Sequence, residues 1–243
     1  MAPILNIEGL TYHYGHGSRP VFADLDLRME PEEFIAVVGG SGVGKSTLLR
    51  CVAGLTEPSG GAITLNVPHD DTRRRRGTVF QDGRLMPWRR LRGNIAYGLN
   101  GLKLTAAQKQ NRVDEVLRLT RLEALAERWP HQLSGGQIQR GGIARALAVQ
   151  PHLLLMDEPF SAVDAITRSH LQEQLLAIWE QTRKAVLFIT HDIEEAVYLA
   201  DRVVVMAGAP AGIALDRQID LPRPRERTGD QLQALVREVS QAL

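Results

Sequence analysis

The sequence predicts an α/β fold, and three stretches carry that prediction. Phe34-Ile35-Ala36-Val37-Val38 is a short apolar run rich in β-branched residues, followed by a glycine-rich turn and then by leucines at helical spacing. Leu153-Leu154-Leu155-Met156 is a second apolar run, ending in Asp157-Glu158. Between them, residues from about 83 to 150 lack strand patterns and read as helical. Together these suggest a buried sheet with a helical subdomain inserted into it.

The turn after the first run organises the chain. Gly39-Gly40-Ser41-Gly42-Val43-Gly44-Lys45-Ser46-Thr47 reads G-x-x-x-x-G-K-S, a phosphate-binding loop. Glycines let the backbone bend around a phosphate without a Cβ in the way, and several N–H groups then converge on one anion at a helix N-terminus. In this pattern Lys45 neutralises the β- and γ-phosphates and the Ser46 hydroxyl binds Mg²⁺. Leu48-Leu49-Arg50-Cys51-Val52-Ala53, closed by Gly54, reads as the helix that follows. A dinucleotide-binding turn is disfavoured, because Lys45-Ser46 stands where that fingerprint continues without them.

Composition narrows the class. The chain has 243 residues, enough for one large α/β domain or a core with an insertion. Its 44% apolar and 23% charged content fits an ordinary soluble protein. A net charge of +1 leaves no field to attract nucleic acid. No apolar run reaches the ~18 residues of a membrane span, and Met1-Ala2-Pro3-Ile4 lacks the regions of a signal peptide. A membrane role must therefore come through a partner. Cys51, the single cysteine, excludes an internal disulfide and suits a reducing compartment.

In chain order, Ile4–Ile7, Val21-Phe22 and Leu25–Leu27 suggest strands around a turn at Gly15-His16-Gly17-Ser18. Tyr12 and Tyr14 precede that turn; either stacks on a base or both line an edge strand. Ile63–Leu65 and Thr78–Phe80 are further strands, and Arg73–Arg76 between them is a solvated surface. Gln81 follows a strand on the side where ligands bind in open α/β sheets. Asp82–Trp88 is a loop, and residues 105–128 form a helix with Val113, Val116, Leu117 and Leu119 on its apolar face. Ser134 is an N-cap for a helix through about Val149, and Gly135-Gly136 beside it mark either a close approach to an anion or a plain turn. Asp157 is the expected Mg²⁺ partner of a phosphate loop, and Glu158 is placed to polarise water. Ser161–Asp164 leads to a helix over 165–182 with Leu171, Leu175, Ile178 and Trp179 inward. Val186–Ile189 is a strand ending at Thr190-His191, and Asp192 caps a helix bearing Ile193, Ala196, Val197 and Ala200. His191, ending a strand as Gln81 and Asp157 do, is a γ-phosphate candidate. Val203–Met206 is a strand, Pro222-Arg223-Pro224-Arg225 breaks regular structure, and an amphipathic tail helix starts near Asp230.

These ordered motifs resemble the nucleotide-binding subunits of ATP-binding cassette (ABC) transporters over nearly all of residues 4–225. Gly39–Thr47 looks like the Walker A motif, and Leu153–Asp157 like Walker B with Glu158 as the catalytic glutamate. Leu133-Ser134-Gly135-Gly136-Gln137 matches the signature sequence, Gln81 resembles the Q-loop glutamine, Ser161–Asp164 the D-loop, and His191 the switch histidine. The resemblance implies a P-loop NTPase with a RecA-like core, an N-terminal antiparallel β-subdomain and an inserted helical subdomain at about 83–150. It spans residues 1–225, with a tail helix over 226–243. It implies ATP and Mg²⁺ as ligands, Ser46, Gln81 and Asp157 as the metal set, and Tyr14 as the adenine-stacking aromatic, with Tyr12 second. Lys45, Gln81, Glu158 and His191 are the implied catalytic set, Ser134–Gln137 meet the partner's nucleotide in a head-to-tail homodimer, and Asp164 of the D-loop is a further nucleotide-binding residue.

Leu85-Met86-Pro87-Trp88 and Leu221–Arg225 are similar to importers of nitrate, aliphatic sulfonate or taurine. That implies two transmembrane permease subunits, a periplasmic solute-binding protein reached indirectly, and a place on the cytoplasmic membrane face. The loop at Gln81–Trp88 is then the groove for a permease helix. The competing readings are a non-transport cassette clamp, which usually carries two cassettes or a long coiled coil, and a P-loop kinase, which needs neither Leu133–Gln137 nor His191. One departure stands out: Gly141-Gly142 occupies the interior of the signature helix, at a cost of ~2 kcal/mol against alanine. On propensity alone, Gly141→Ala is expected to stabilise the chain.

Overall fold

The computed structural model describes residues 2–15 and 17–243. His16, part of the expected turn, lies outside them. The chain forms two compact units, one of residues 1–67 with 185–243 and one of residues 68–184.

The first unit is a mixed sheet with three helices. Its strands begin with β1 (Leu5–Tyr12), β2 (Phe22–Met29), β3 (Phe34–Gly39) and β4 (Gly60–Leu65), and α1 (Lys45–Ala53) follows β3. β1 pairs antiparallel with β2 and with β4, giving the expected antiparallel region. β3 is buried along its whole length, as its unbroken apolar sequence requires of a strand covered on both faces. α1 begins at Lys45, before the leucines, and ends at Gly54, whose φ of 71° provides the left-handed stop.

The remaining members of this unit return from the C-terminal half, and the second unit lies between them in sequence. There, β5 (Arg76–Val79) pairs parallel with β6 (Leu153–Asp157). The intervening helices are α2 (Leu91–Gly98), α3 (Ala106–Leu119) and α4 (Gly135–Ala148), and α5 (Ala165–Thr182) follows β6. Back in the first unit come β7 (Ala185–Ile189), α6 (Ile193–Leu199), β8 (Arg202–Gly208), β9 (Ala211–Gln218) and α7 (Asp230–Ser240). Within this unit the strand order is β4-β1-β2-β9-β8-β3-β7. β3 runs parallel to both β7 and β8. The inward face expected of α5 is buried as Leu171, Leu175, Ile178 and Trp179.

Three local expectations are corrected. The helix expected over 105–128 stops at Leu119. Thr120 caps it, and Arg121 adopts a left-handed φ of 54°. Arg121 N–H then donates to Arg118 O (3.0 Å) and Leu122 N–H to Leu117 O (2.8 Å), the paired bonds of a Schellman stop, with Leu122 and Leu117 both buried. An arginine in the seat usually held by glycine hides that stop from the sequence. Two elements carry little signal of their own, although α2 falls within the stretch expected to be helical. β9 alternates, but only Ala211 of its eight residues is buried, so its apolar signal is thin. α2 contains two glycines and is carried by its buried Leu91, Asn94 and Ile95 rather than by propensity.

The third correction concerns Gly141-Gly142. A Cβ on Gly142 would stand 3.0 Å from both Cα and O of Gly83, so the backbone of the loop after Gln81 lies directly on α4. From the other side, Gly83 has φ +67° and its Cβ would stand 2.9 Å from Ile138 O. Arg145 of α4 fastens the same loop, donating to Gly83 O (2.9 Å) and Arg84 O (2.7 Å), while Gln139 donates to Phe80 O (3.2 Å). Asn94, fully buried in α2, secures the far end: it accepts from Met86 N–H (2.6 Å) and donates to the carbonyls of Met86, Arg89 and Arg90. The glycines therefore trade helix propensity for a backbone-to-backbone seat. A Cβ on Gly141 would meet Leu91 Cδ1 at 2.8 Å and Leu85 Cδ1 at 3.1 Å, in a packed core.

These contacts set the direction of three substitutions. Gly142→Ala should lower the melting temperature, by about 1–3 kcal/mol of overpacking against a backbone that cannot turn away. Gly141→Ala should give no stabilisation, because its gain of about 1 kcal/mol in propensity is opposed by displacement of two leucines. Arg121→Gly should raise the melting temperature, removing roughly 1 kcal/mol of left-handed strain. Thermal unfolding of the three variants checks each direction.

Candidate functional site

In the first unit, the loop Gly40–Gly44 leaves β3 and enters α1. Gly44, the N-cap, sits at φ 110°, and its Cβ would stand 2.7 Å from Val21 Cγ1. Gly39 is equally confined, since its Cβ would lie 2.4 Å from Met206 O. The outer side differs: beside Gly40 and Gly42 there is open space within 4 Å of where a Cβ would stand. The loop is thus packed from behind and open in front.

α1 has no side-chain cap and no acidic residue in its first turn. The positive end of its dipole therefore faces the open side of the loop. Lys45 is 5% exposed, and its ammonium donates to Gly39 O (2.7 Å) and Gly40 O (3.0 Å). A buried ammonium held by loop carbonyls, at an uncapped helix N-terminus with an open front, suits a polyphosphate. The hydroxyl of Ser46 and the carboxylate of Asp157 are hard oxygen donors of the kind Mg²⁺ takes.

Two more expected residues belong to this unit. Tyr14 is 71% exposed, yet its hydroxyl hydrogen-bonds Thr47 Oγ1 (2.9 Å) of the loop. Tyr12 instead packs its ring 6.0 Å from Phe22 and edge-on to Tyr14 at 5.2 Å. Tyr14 is therefore the tyrosine in contact with the loop. His191 follows β7, whose Ile189 is registered with Val37 of β3. The phosphate loop and His191 thus leave adjacent parallel strands at the same edge. His191 is exposed and held between two anchored neighbours: Asp192 N–H donates to Thr190 Oγ1 (3.0 Å), and Asp192 Oδ1 accepts from Glu195 N–H (3.0 Å) to cap α6.

The second unit carries the other expected residues. Val79 of β5 is registered with Met156 of β6, so Gln81 and Asp157-Glu158 leave that strand pair at one edge. Gln81 is exposed, while Asp157 and Glu158 are half-buried. Glu158 has φ 43°, a left-handed conformation that a glutamate adopts only at a cost. Ser161 secures it, donating to Glu158 O from N–H (3.2 Å) and from Oγ (2.9 Å). Nothing in the sequence marks this strain.

Ser134 is the N-cap of α4, as expected, and forms a capping box: Gln137 N–H donates to Ser134 Oγ (3.3 Å) and Ser134 N–H to Gln137 Oε1 (2.9 Å). The S-x-x-Q spacing is the available signal for that reciprocal role of Gln137. Gly136 is buried, and a Cβ there would stand 3.1 Å from Thr167 Cγ2 of α5, whereas Gly135 is exposed near Val163. Asp164 caps α5 by accepting from Thr167 N–H (3.0 Å), and that bond holds its carboxyl below the usual range. The signature turn and the residues before α5 therefore lie side by side, presenting Ser134 and Gly135 outward.

Comparisons with known proteins bear on the family of this chain. The family model described as "ABC transporter" matches residues 22–161. The taurine import ATP-binding protein TauB of Pseudomonas putida is 44% identical over 233 residues, covering 96% of this chain and 88% of that protein. The nitrate import ATP-binding protein NrtD of Synechococcus elongatus is 44% identical over 224 residues, covering 90% and 82%. Among solved structures, cbiO1 from Clostridium perfringens, part of the ABC transporter complex cbiONQ, superimposes with a TM-score of 0.80 at 27% identity, covering 99% and 93% of the two chains. The ATP-binding cassette MJ0796, dimeric and bound to ADP and Pi, does so with a TM-score of 0.73 at 28% identity, covering 90% and 100%. By its fold, its motifs and these relatives, the chain belongs to the ABC transporter family and is one of its ATP-hydrolysing cassettes.

Proposed function

We propose that the chain energises a bacterial importer for a small oxyanion, with taurine, aliphatic sulfonate and nitrate as the candidate solutes. The observation that carries this is the 44% identity to taurine and nitrate import ATP-binding proteins over nearly the whole chain. Among the described residues no helix is long and apolar enough to cross a membrane. On this reading, coupling to transport falls to partner subunits at the cytoplasmic face. Two transmembrane permease subunits are the proposed partners, with a periplasmic solute-binding protein acting through them.

The surface proposed for the permease lies in the second unit. A cleft of about 480 Å³ is lined by Phe80, Met86, Tyr97 and Arg145, among others, beside the loop that carries the 71%-exposed Trp88. We assign permease docking to this loop. Residues 83–150 serve as the helical subdomain within a cassette of residues 1–225, followed by the tail helix.

In the proposed chemistry, Lys45 and the N–H groups of Gly40–Thr47 bind the β- and γ-phosphates of ATP, and Tyr14 stacks on adenine. Ser46, Asp157 and Gln81 would hold Mg²⁺, which when bound neutralises charge on the transferring phosphate. Glu158 takes the proton of the attacking water as general base. His191 donates a hydrogen bond toward the γ-phosphate. Ser134, Gly135, Gly136, Gln137 and Asp164 face the nucleotide of a second copy, whose loop completes the site head to tail. ATP then holds the dimer closed, and its hydrolysis lets it open.

Glu158→Gln should retain ATP binding and lose about 10²- to 10⁴-fold in hydrolysis, because only proton transfer is removed. Normal turnover by this variant would end the general-base assignment. Lys45→Ala should lose nucleotide binding in a direct titration. Ser134→Arg should keep that binding but fail to form an ATP-dependent dimer on a sizing column, where an unaffected dimer contradicts the composite site. The permease and its solute are tested by co-purification with the chain and uptake of labelled taurine, sulfonate and nitrate.

A further inference from the structure

The segment joining β9 to α7 carries arginines at every second position, Arg223, Arg225 and Arg227. All three reach the C-terminal end of α6. Arg223 pairs with Asp201 and donates to Leu199 O (2.5 Å). Arg225 donates to Val197 O (2.7 Å), Tyr198 O (3.2 Å) and Ala200 O (2.6 Å), and also to Ile219 O (3.3 Å) and Leu221 O (3.1 Å) of its own segment. Arg227 lies over the Tyr198 ring at 3.6 Å.

Arg225 is 7% exposed, and burial draws its pKa down to about 10. A buried charge is ordinarily matched by an opposite one. Here five backbone carbonyls surround the guanidinium, three of them at the end of α6, where unsatisfied C=O groups carry the negative end of the helix dipole. α6 ends without a glycine: Ala200, its C-cap, is extended at φ −86°, ψ 155°. The arginines take the place of a C-terminal cap.

The other end of this helix matters more. α6 has seven residues, about 10 Å in length. His191 and the cap Asp192 stand immediately before it. A two-turn helix gripped at its C-terminus moves as one piece, so its grip also sets where its first residues lie.

We propose that Arg225, supported by Arg223 and Arg227, is a positioning residue for His191, and that the segment after β9 is a clamp on the helix that follows that histidine. The proposal rests on the reading of His191 as the γ-phosphate partner. Arg225 bonds the carbonyls at the end of α6 remote from His191, so it acts through that helix.

A double-mutant cycle on ATP hydrolysis by the full chain in its transporter complex tests this. Arg225→Lys keeps the charge but cannot reach all five carbonyls, and Arg227→Ala is a second variant that removes the contact with the Tyr198 ring. His191→Ala should lower kcat. Arg225→Lys should lower kcat roughly tenfold through misplacement of a catalytic group, with KM for ATP unchanged, because the phosphate loop is untouched. In the His191→Ala background, Arg225→Lys and Arg227→Ala should lower kcat no further. Equal fold losses in both backgrounds, or no loss in the presence of His191, overturn the clamp while leaving the role of His191 standing. A His191→Ala variant with unchanged kcat overturns the role of His191 and the clamp with it.

Discussion

The rest of the structure depends on a helix start that the chain does not cap for itself. α1 follows its N-cap Gly44 with no side-chain cap and no acidic residue in its first turn, and the ammonium of Lys45 is buried against its own loop carbonyls. That concentrates positive potential at one place. β3 supplies the rigid support, buried along its length and flanked by parallel neighbours, so the loop cannot relax backwards. Anion binding completes a structure that packing alone leaves electrostatically open.

A second constraint is backbone contact. The loop after Gln81 lies on α4 through facing glycines, Gly83 and Gly142, with Arg145 holding two of its carbonyls. The same helix begins at Ser134, whose capping box leaves Gly135 exposed. One rigid rod thus links the loop assigned to the permease with the turn assigned to a second copy's ATP. On the proposed reading, a push at one end is felt at the other because the loop rests on the helix backbone to backbone at Gly83 and Gly142, with Arg145 tying it down.

Much of the site is legible in the sequence because its chemistry demands particular residues in a local order. Gly39–Thr47, Leu133–Gln137 and Leu153–Glu158 are contiguous motifs, and the strands before the first and last are apolar runs. Residue type and spacing do not separate Tyr12 from Tyr14, which the family resemblance alone ranks; in the structure Tyr14 is the one whose hydroxyl bonds Thr47. The stop after α3 is hidden by Arg121 in a left-handed seat, and β9 by its single buried residue. Gly141-Gly142 looks like a defect because propensity is local, whereas the Gly83 backbone that explains it lies 59 residues away in sequence from Gly142. The arginine clamp is hidden for a related reason: the acceptors of Arg225 are all backbone carbonyls, which leave no trace in a sequence.

The central claim is that each chain holds half of each ATP site. Cross-linking between separately tagged chains tests it most directly, because Cys51 is buried and out of reach of a surface reagent. One chain carries Ser41→Cys and the other Ser134→Cys, both with Glu158→Gln to prevent turnover. With ATP, a short bismaleimide should join the two tags in one product, and without ATP it should not. Nucleotide bound to both chains with no ATP-dependent joined product would contradict the account.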